Sequence, residues 1–163
     1  MKKVLVVMGS DSDLKVMEKC VDRLKSFDIP TEVRICSAHR TPAAAEQLAK
    51  NAAAEGFGVI IAAAGKAAHL GGVLAAYTTL PVIGVPMATS VMGGMDSLLS
   101  IVQMPKGIPV ATVAIDGADN AAILAAQMIA LSDDTLAQKL AQFKADMAAE
   151  VTAKDVKVRA QFA

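Results

Sequence analysis

The sequence predicts an α/β fold, a central parallel sheet of five strands with helices on both faces. Two observations carry that reading. Strand-like and helix-like segments alternate along the chain, the order produced when each strand is followed by a helix that returns the chain across the sheet. The strand-like segments are also mostly unbroken aliphatic runs, as in strands buried on both faces. Crossovers between such strands are right-handed.

Each element has its own signal. KVLVVM (3–8) is a short aliphatic run ending at Gly9 and reads as a buried first strand. Leu14, Met17, Cys20, Val21 and Leu24 then recur with helical spacing. EVRIC (32–36) alternates and reads as a second strand. Thr41 and Pro42 predict a helix start, with Thr as N-cap and Pro at the first helical position, and Gly56 predicts its stop. GVIIAAA (58–64) is a third strand, AAHLGGVLAAYT (67–78) a loop and short helix, and PVIGVP (81–86) a fourth strand. Asp96 is placed to cap SLLSIVQM, and VATVAI (110–115) is a fifth strand. Asp119 or Asn120 opens AAILAAQMIAL. Ser132 opens a last helix, from about 133, with Leu136, Leu140, Phe143 and Met147 on one face.

The 163 residues suffice for one domain, 1–163, with a sizeable core. Neither a linker nor an internal repeat is visible. Sixteen basic and sixteen acidic residues give a net charge of zero, which argues against a nucleic-acid surface, because phosphate binding leaves a basic excess. Cys20 and Cys36 form no CxxC pattern. Cys20 falls on an apolar helix face and reads as a buried thiol. With no disulfide framework and no zinc pattern, an intracellular, cytoplasmic setting is expected. The apolar run after Lys2 and Lys3 is too short for a signal peptide.

Hydrophobic residues make up 54% of the chain and the mean hydropathy is +0.46. No charge occurs from Leu70 to Met95. Pro81, Pro86 and five glycines break that run into pieces too short to cross a bilayer as one helix, so buried strands account for it better than a membrane span. The segments AAHLGGVLAAYT and AAILAAQMIAL have hardly a polar face. A helix apolar all round must be covered on all sides, which predicts that subunit contacts cover part of both.

In sheets of this kind ligands bind beyond the carboxyl ends of the strands, so chemistry is sought in MGSDSD, SAHRTP, AAGKAAH and VPMATS. In the first, Gly9 permits a tight turn, and Ser10, Ser12 and free N–H groups at a helix start make a modest anion site. A simple N-cap by Ser12 or Asp13 explains the same residues. Neither a GxGxxG nor a GxxxxGK[ST] pattern is present. In SAHRTP, Ser37 and Arg40 are donors suited to phosphate. His39 lies between them, and histidine titrates near neutrality and can take and return a proton. In AGKAAHL (64–70), Gly65, Ala67 and Ala68 allow a flat ligand to approach the backbone. Among such apolar neighbours, His69 reads as a satisfied core histidine.

Taken in order, MGSDSD, SAHRTP, AGKAAHL, PVIGVP, DSLLSIVQMPKGIPVATVAI and NAAILAAQ resemble the PurE family of purine biosynthesis over roughly residues 3–131. The resemblance implies a flavodoxin-like three-layer sandwich, a homo-octamer with active sites at subunit contacts, and no metal or organic cofactor. It implies the activity of the family's usual bacterial members, which convert N5-carboxyaminoimidazole ribonucleotide to 4-carboxy-5-aminoimidazole ribonucleotide. It implies that His39 is catalytic, and that Ser10, Ser12, Asp13, Ser37, Arg40, Gly65, Ala67, His69 and Leu70 hold the substrate. His69 matches a histidine typical of the mutase branch; the branch that carboxylates aminoimidazole ribonucleotide directly with carbon dioxide tends to lack it. Lys66 stands where the family usually has glycine, and Gly71 where it usually has proline. A third reading is a flavodoxin-like module that binds a nucleotide without chemistry. Against a flavin in it, the chain has no Trp, one Tyr and four Phe, few rings for stacking.

Overall fold

Five parallel strands lie in the order β2-β1-β3-β4-β5 in the computed structural model, which describes residues 1–163. The strands are β1 (Lys3–Met8), β2 (Thr31–Ile35), β3 (Phe57–Ala64), β4 (Val82–Pro86) and β5 (Ala111–Thr112). The helices are α1 (Leu14–Ser26), α2 (Pro42–Ala52), α3 (Leu70–Tyr77), α4 (Met95–Val102), α5 (Ala118–Ala130) and α6 (Asp134–Gln161). This is the flavodoxin-like strand order, in which the chain switches direction across the sheet between β1 and β3. No helix is long and apolar enough to cross a membrane.

The pleat sorts the strand residues between two cores. Val4, Val6 and Met8 of β1 face one side together with Val59, Ile61 and Ala63 of β3; Leu5 and Val7 face the other with Ile60, Ala62 and Ala64. The first side is covered by α1, α5 and the start of α6, the second by α2, α3 and α4. Each aliphatic side chain fully removed from water contributes about 1.5–3 kcal/mol. β1 and β3 therefore hold the sheet from its centre. β2 is an edge strand, with Val33 and Ile35 exposed. At Gly84 in β4 a side chain would run into Ile101 Cγ2 and come within 3.0 Å of Val110 Cγ1, so the glycine is what lets α4 and the segment before β5 close on the sheet.

Several element starts differ from expectation. α4 is entered through Gly94, at φ +97, and α5 through Gly117. Asp96 and Asp119 lie in the first turns. Asp96 accepts a hydrogen bond from the Thr89 hydroxyl at 2.7 Å, and Asp119 pairs with Arg23 Nε at 2.7 Å. The cap of α6 is Asp133, whose carboxylate accepts from the Leu136 N–H at 3.0 Å, and Ser132 lies outside it. Pro42 does open α2, but the Thr41 hydroxyl turns back to the Ser37 backbone instead of capping. Leu14 is exposed, while Met17, Cys20 and Leu24 point inward. β5 is only two residues long. Pro109 stands just before it, and Asp116 at φ +56 turns the chain soon after.

α5 corrects a larger expectation. Its buried face comprises Ala118, Ala121, Ala122, Ala125, Ala126 and Ile129, and α1, α6 and the sheet cover it within the chain. Small side chains let α1 approach closely, so this helix needs no second subunit. Phe143 of α6 packs edge-on against Phe27, ring centroids 5.5 Å apart, with the Arg23 guanidinium over its other side. From residue 144 onward α6 is exposed throughout. α3 buries Leu70, Gly71 and Leu74 and ends at the half-exposed Tyr77, where Lys50 Nζ sits 5.5 Å from the ring centroid. Cys20 and Cys36 are both buried and unbonded to each other, and burial pushes the Cys20 thiol up to about 12.

Candidate active site

The chain turns at the carboxyl end of each strand, and the turns after β1, β2, β3 and β4 enclose one cavity of about 700 Å³. After β1, Ser10 caps a short 3-10 turn (Asp11–Asp13) by accepting from the Ser12 N–H at 3.3 Å. Asp13 stands at the N-cap position of α1 but makes no side-chain capping bond there, and Ser12 is not a cap. The turn buries Asp13, whose carboxyl is raised above the ordinary 3.8 by desolvation, partly offset by hydrogen bonds from Ser12 and Ser10.

After β2, the chain folds on itself around Ser37. The Ser37 N–H donates to the Thr41 hydroxyl at 3.0 Å, and the Arg40 N–H and Nε donate to the Ser37 hydroxyl at 3.2 and 3.3 Å. Arg40 Nη2 donates to the Gly9 carbonyl at 3.2 Å. The guanidinium has five N–H donors; with two engaged in these contacts, three remain to meet an anion.

After β3, Gly65, Lys66, Ala67 and Ala68 lead into α3. Lys66 takes a left-handed conformation, φ +57, and its carbonyl accepts from the Ala68 N–H at 2.9 Å and the Ser100 hydroxyl at 3.3 Å. His69 is exposed at the start of α3, so it is not the core histidine its neighbours suggest. Its Nδ1 lies 2.8 Å from Nε2 of His39 across the mouth of the cavity.

The ten residues to which the resemblance gives a role all line this cavity: Ser10, Ser12, Asp13, Ser37, His39, Arg40, Gly65, Ala67, His69 and Leu70; Ala68 is buried and does not. The structure adds a fourth wall, Met87 to Ser90 after β4. Its position is fixed from several sides. Met87 N–H donates to the Ala64 carbonyl at 3.0 Å, Ala88 N–H donates to Asp116 at 2.9 Å, and the buried Ser97 hydroxyl reaches the Met87 carbonyl at 2.5 Å. Only the general rule about strand ends pointed there, since the segment carries no charged or titratable side chain.

Arg40 and Lys66 are the cations of the cavity wall and Asp13 is its one acid. That balance suits an anionic ligand with hydroxyl groups. No phenylalanine, tyrosine or tryptophan lines it, which leaves a flavin nothing to stack on. No three His, Cys, Asp or Glu side chains are grouped closely enough to hold a metal.

An α/β sheet that brings Arg40, Lys66 and a pair of imidazoles to one cavity beyond its strand ends has the form of a class of proteins that bind small anionic ligands there. The comparisons narrow it. A family model for AIR carboxylase matches residues 3–150. The chain is 52% identical over 159 residues to an N5-carboxyaminoimidazole ribonucleotide mutase of Methanocaldococcus jannaschii, covering 98% of this chain and 99% of that one. It is 51% identical over 140 residues to a chloroplastic phosphoribosylaminoimidazole carboxylase of Vigna aconitifolia, covering 86% of this chain and 25% of that one. Treponema denticola PurE superposes with a TM-score of 0.87 at 30% identity, covering 94% of this chain and 96% of that one. The chain belongs to the AIR carboxylase family.

Proposed function

We propose that this chain is an N5-carboxyaminoimidazole ribonucleotide mutase of purine biosynthesis, that it works in the cytoplasm, and that it assembles as a homo-octamer. The single observation that carries the reaction is His39, set beside Arg40 on the rim of a cavity of nucleotide size. Arg40, helped by Ser37 and Ser10, takes the phosphate, and Asp13 with Ser12 takes the ribose hydroxyls. Gly65, Ala67, His69 and Leu70 form the wall against the imidazole ring.

On this reading the proton steps fall to His39. His39 protonates the carbamate nitrogen, and the nitrogen–carbon bond breaks with its electron pair left on nitrogen, freeing carbon dioxide. Carbon 4 of the ring attacks the trapped gas and forms the new carbon–carbon bond. His39 then removes the proton from carbon 4, and the ring regains aromaticity. One imidazole serves as acid and then as base, because a histidine side chain can both give and take a proton.

The test is an assay of the purified protein with the carbamate nucleotide, alongside aminoimidazole ribonucleotide with carbon-13 bicarbonate. A mutase turns over the first and incorporates little label. Rapid incorporation from bicarbonate would instead assign the direct carboxylase, the activity named in the plant relative. His39→Asn should lose on the order of 10²–10⁴ in turnover with nucleotide binding retained; an active variant would exclude the assigned proton steps.

A further inference from the structure

His39 and His69 are the chain's two histidines, and they touch. Their rings stand at 80° with centroids 4.9 Å apart, and the contact joins Nε2 of His39 to Nδ1 of His69 at 2.8 Å. His39 makes no other ring hydrogen bond within the chain, so its Nδ1 is left for a ligand.

A contact of this length needs one proton between the two nitrogens, because two N–H groups or two lone pairs facing each other would repel. Where that proton sits sets the tautomer of both rings. The surroundings of His69 decide the matter. Its backbone N–H donates to the Ala67 carbonyl and its carbonyl accepts from the Val73 N–H, each at 2.9 Å, which fixes where the ring starts from. It stands at the N-cap of α3, where the first-turn amides present the positive end of the helix. Arg40 and Lys66 share the cavity wall with it, and Asp13 is the single acid there. That setting suits His69 to offer the lone pair in the contact, with the shared proton on His39.

We propose that His69 is a positioning residue, a neutral acceptor that keeps a proton on Nε2 of His39, so that Nδ1 of His39 is the one nitrogen that exchanges protons with substrate. This rests on the mutase reading. His39 starts with a proton on each nitrogen. The Nδ1 proton passes to the carbamate nitrogen as the carbon–nitrogen bond breaks. The emptied Nδ1 then takes the proton from carbon 4, whose bonding pair returns to the ring. The Nε2 proton stays in the contact with His69 throughout, and His69 itself gains and loses nothing. The same nitrogen therefore acts in both steps, with no rotation of the ring between them.

Two measurements test this. Nitrogen-15 spectra of the resting protein need resolve only two imidazoles, and neutral His39 should be the Nε2–H tautomer. In His69→Leu it should become a mixture. In turnover, His69→Leu should lower kcat about 10–100-fold, by analogy with loss of the partner that orients a metal-bound imidazole, with KM changed less than about threefold. His69→Asn sets an amide oxygen near the place of Nδ1 and should recover most of that loss, whereas the longer His69→Gln should not. An Nδ1–H tautomer for resting His39, or a loss confined to KM, would overturn the proposal. Were the natural protein inert toward the carbamate nucleotide, the reaction reading would fall by itself, and the spectra would still decide the tautomer.

Discussion

Arg40 Nη2 donates to the Gly9 carbonyl at 3.2 Å, so the turn after β2 is tied to the turn after β1 by the side chain assigned to phosphate. The tie holds the guanidinium in place before any ligand arrives, which reduces the ordering cost of binding. Losing a charge-assisted hydrogen bond costs about 1.5–3 kcal/mol. Arg40→Ala should weaken affinity for the nucleotide roughly tenfold to a hundredfold in calorimetry, and much less for the phosphate-free nucleoside. Arg40→Lys should rescue poorly, since an ammonium cannot reach Ser37, Gly9 and an anion from one planar fork. Equal losses for nucleotide and nucleoside would remove Arg40 from the phosphate site.

Asp13 links the site to pH. Burial raises its carboxyl above 3.8, chiefly through desolvation, so the folded chain holds that proton more tightly than the unfolded chain does. Stability is therefore lost as pH rises from about 3.8 through the raised value, and stays lost at neutral pH. Asp13→Asn should melt higher than the natural protein at pH 7. The difference should shrink as pH falls and vanish below 3.8, where both side chains are neutral. The same variant should bind nucleotide more weakly, because the acceptor proposed for the ribose hydroxyls is altered. A variant less stable at pH 7 would contradict the desolvation account.

Lys66 holds a backbone conformation, φ +57, that costs an ordinary L-residue roughly 1–2 kcal/mol. Glycine avoids that penalty but gives back part of it through the freer unfolded chain. Lys66→Gly should stabilise the fold by about 0.5–1 kcal/mol, read as a higher urea midpoint at unchanged slope. A lower midpoint would mean that the lysine side chain contributes more than its backbone loses.

The corrected place of α5 changes what an assembly experiment must target. Ala125 is fully buried between helices of one chain, so Ala125→Asp should unfold the protein by burying an unpaired charge. One group of exposed apolar side chains lies on and before α4, among them Met92, Met95, Leu99 and Val102; others lie on β2 and along α6. Leu99→Asp should leave the circular dichroism spectrum intact, reduce the sedimenting species and abolish turnover. An active, folded monomer would refute the octamer.

The parts of this fold that could be read from the chain are those fixed by burial. KVLVVM, GVIIAAA and PVIGVP are apolar because both faces of the inner sheet are covered, and no other local pattern competes with that. Helix starts were harder, since glycine caps such as Gly94 and Gly117 have no side chain to announce them, while the nearby Asp96 and Asp119 have other partners. VATVAI looked like a longer strand than its Pro109 and Asp116 surroundings allow. The apolar character of α5 was visible, but whether a neighbour in the same chain or in another subunit covers it depends on tertiary packing. In the site, His39 and Arg40 were marked by chemistry, whereas the Met87–Ser90 wall is built mostly from backbone and small side chains. The nearness of His69 to His39 joins two loops 30 residues apart, and no spacing along the chain encodes it.

Tyr77 ends the helix that begins next to His69, and it is the chain's sole tyrosine in a protein without tryptophan. Near-ultraviolet emission from this protein is therefore dominated by one ring, 5.5 Å from a lysine ammonium on α2. A change in that emission when nucleotide is added would report movement between α2 and α3. The dark background also means that a single tryptophan introduced at Ser90 would give a signal from the cavity mouth free of any other indole.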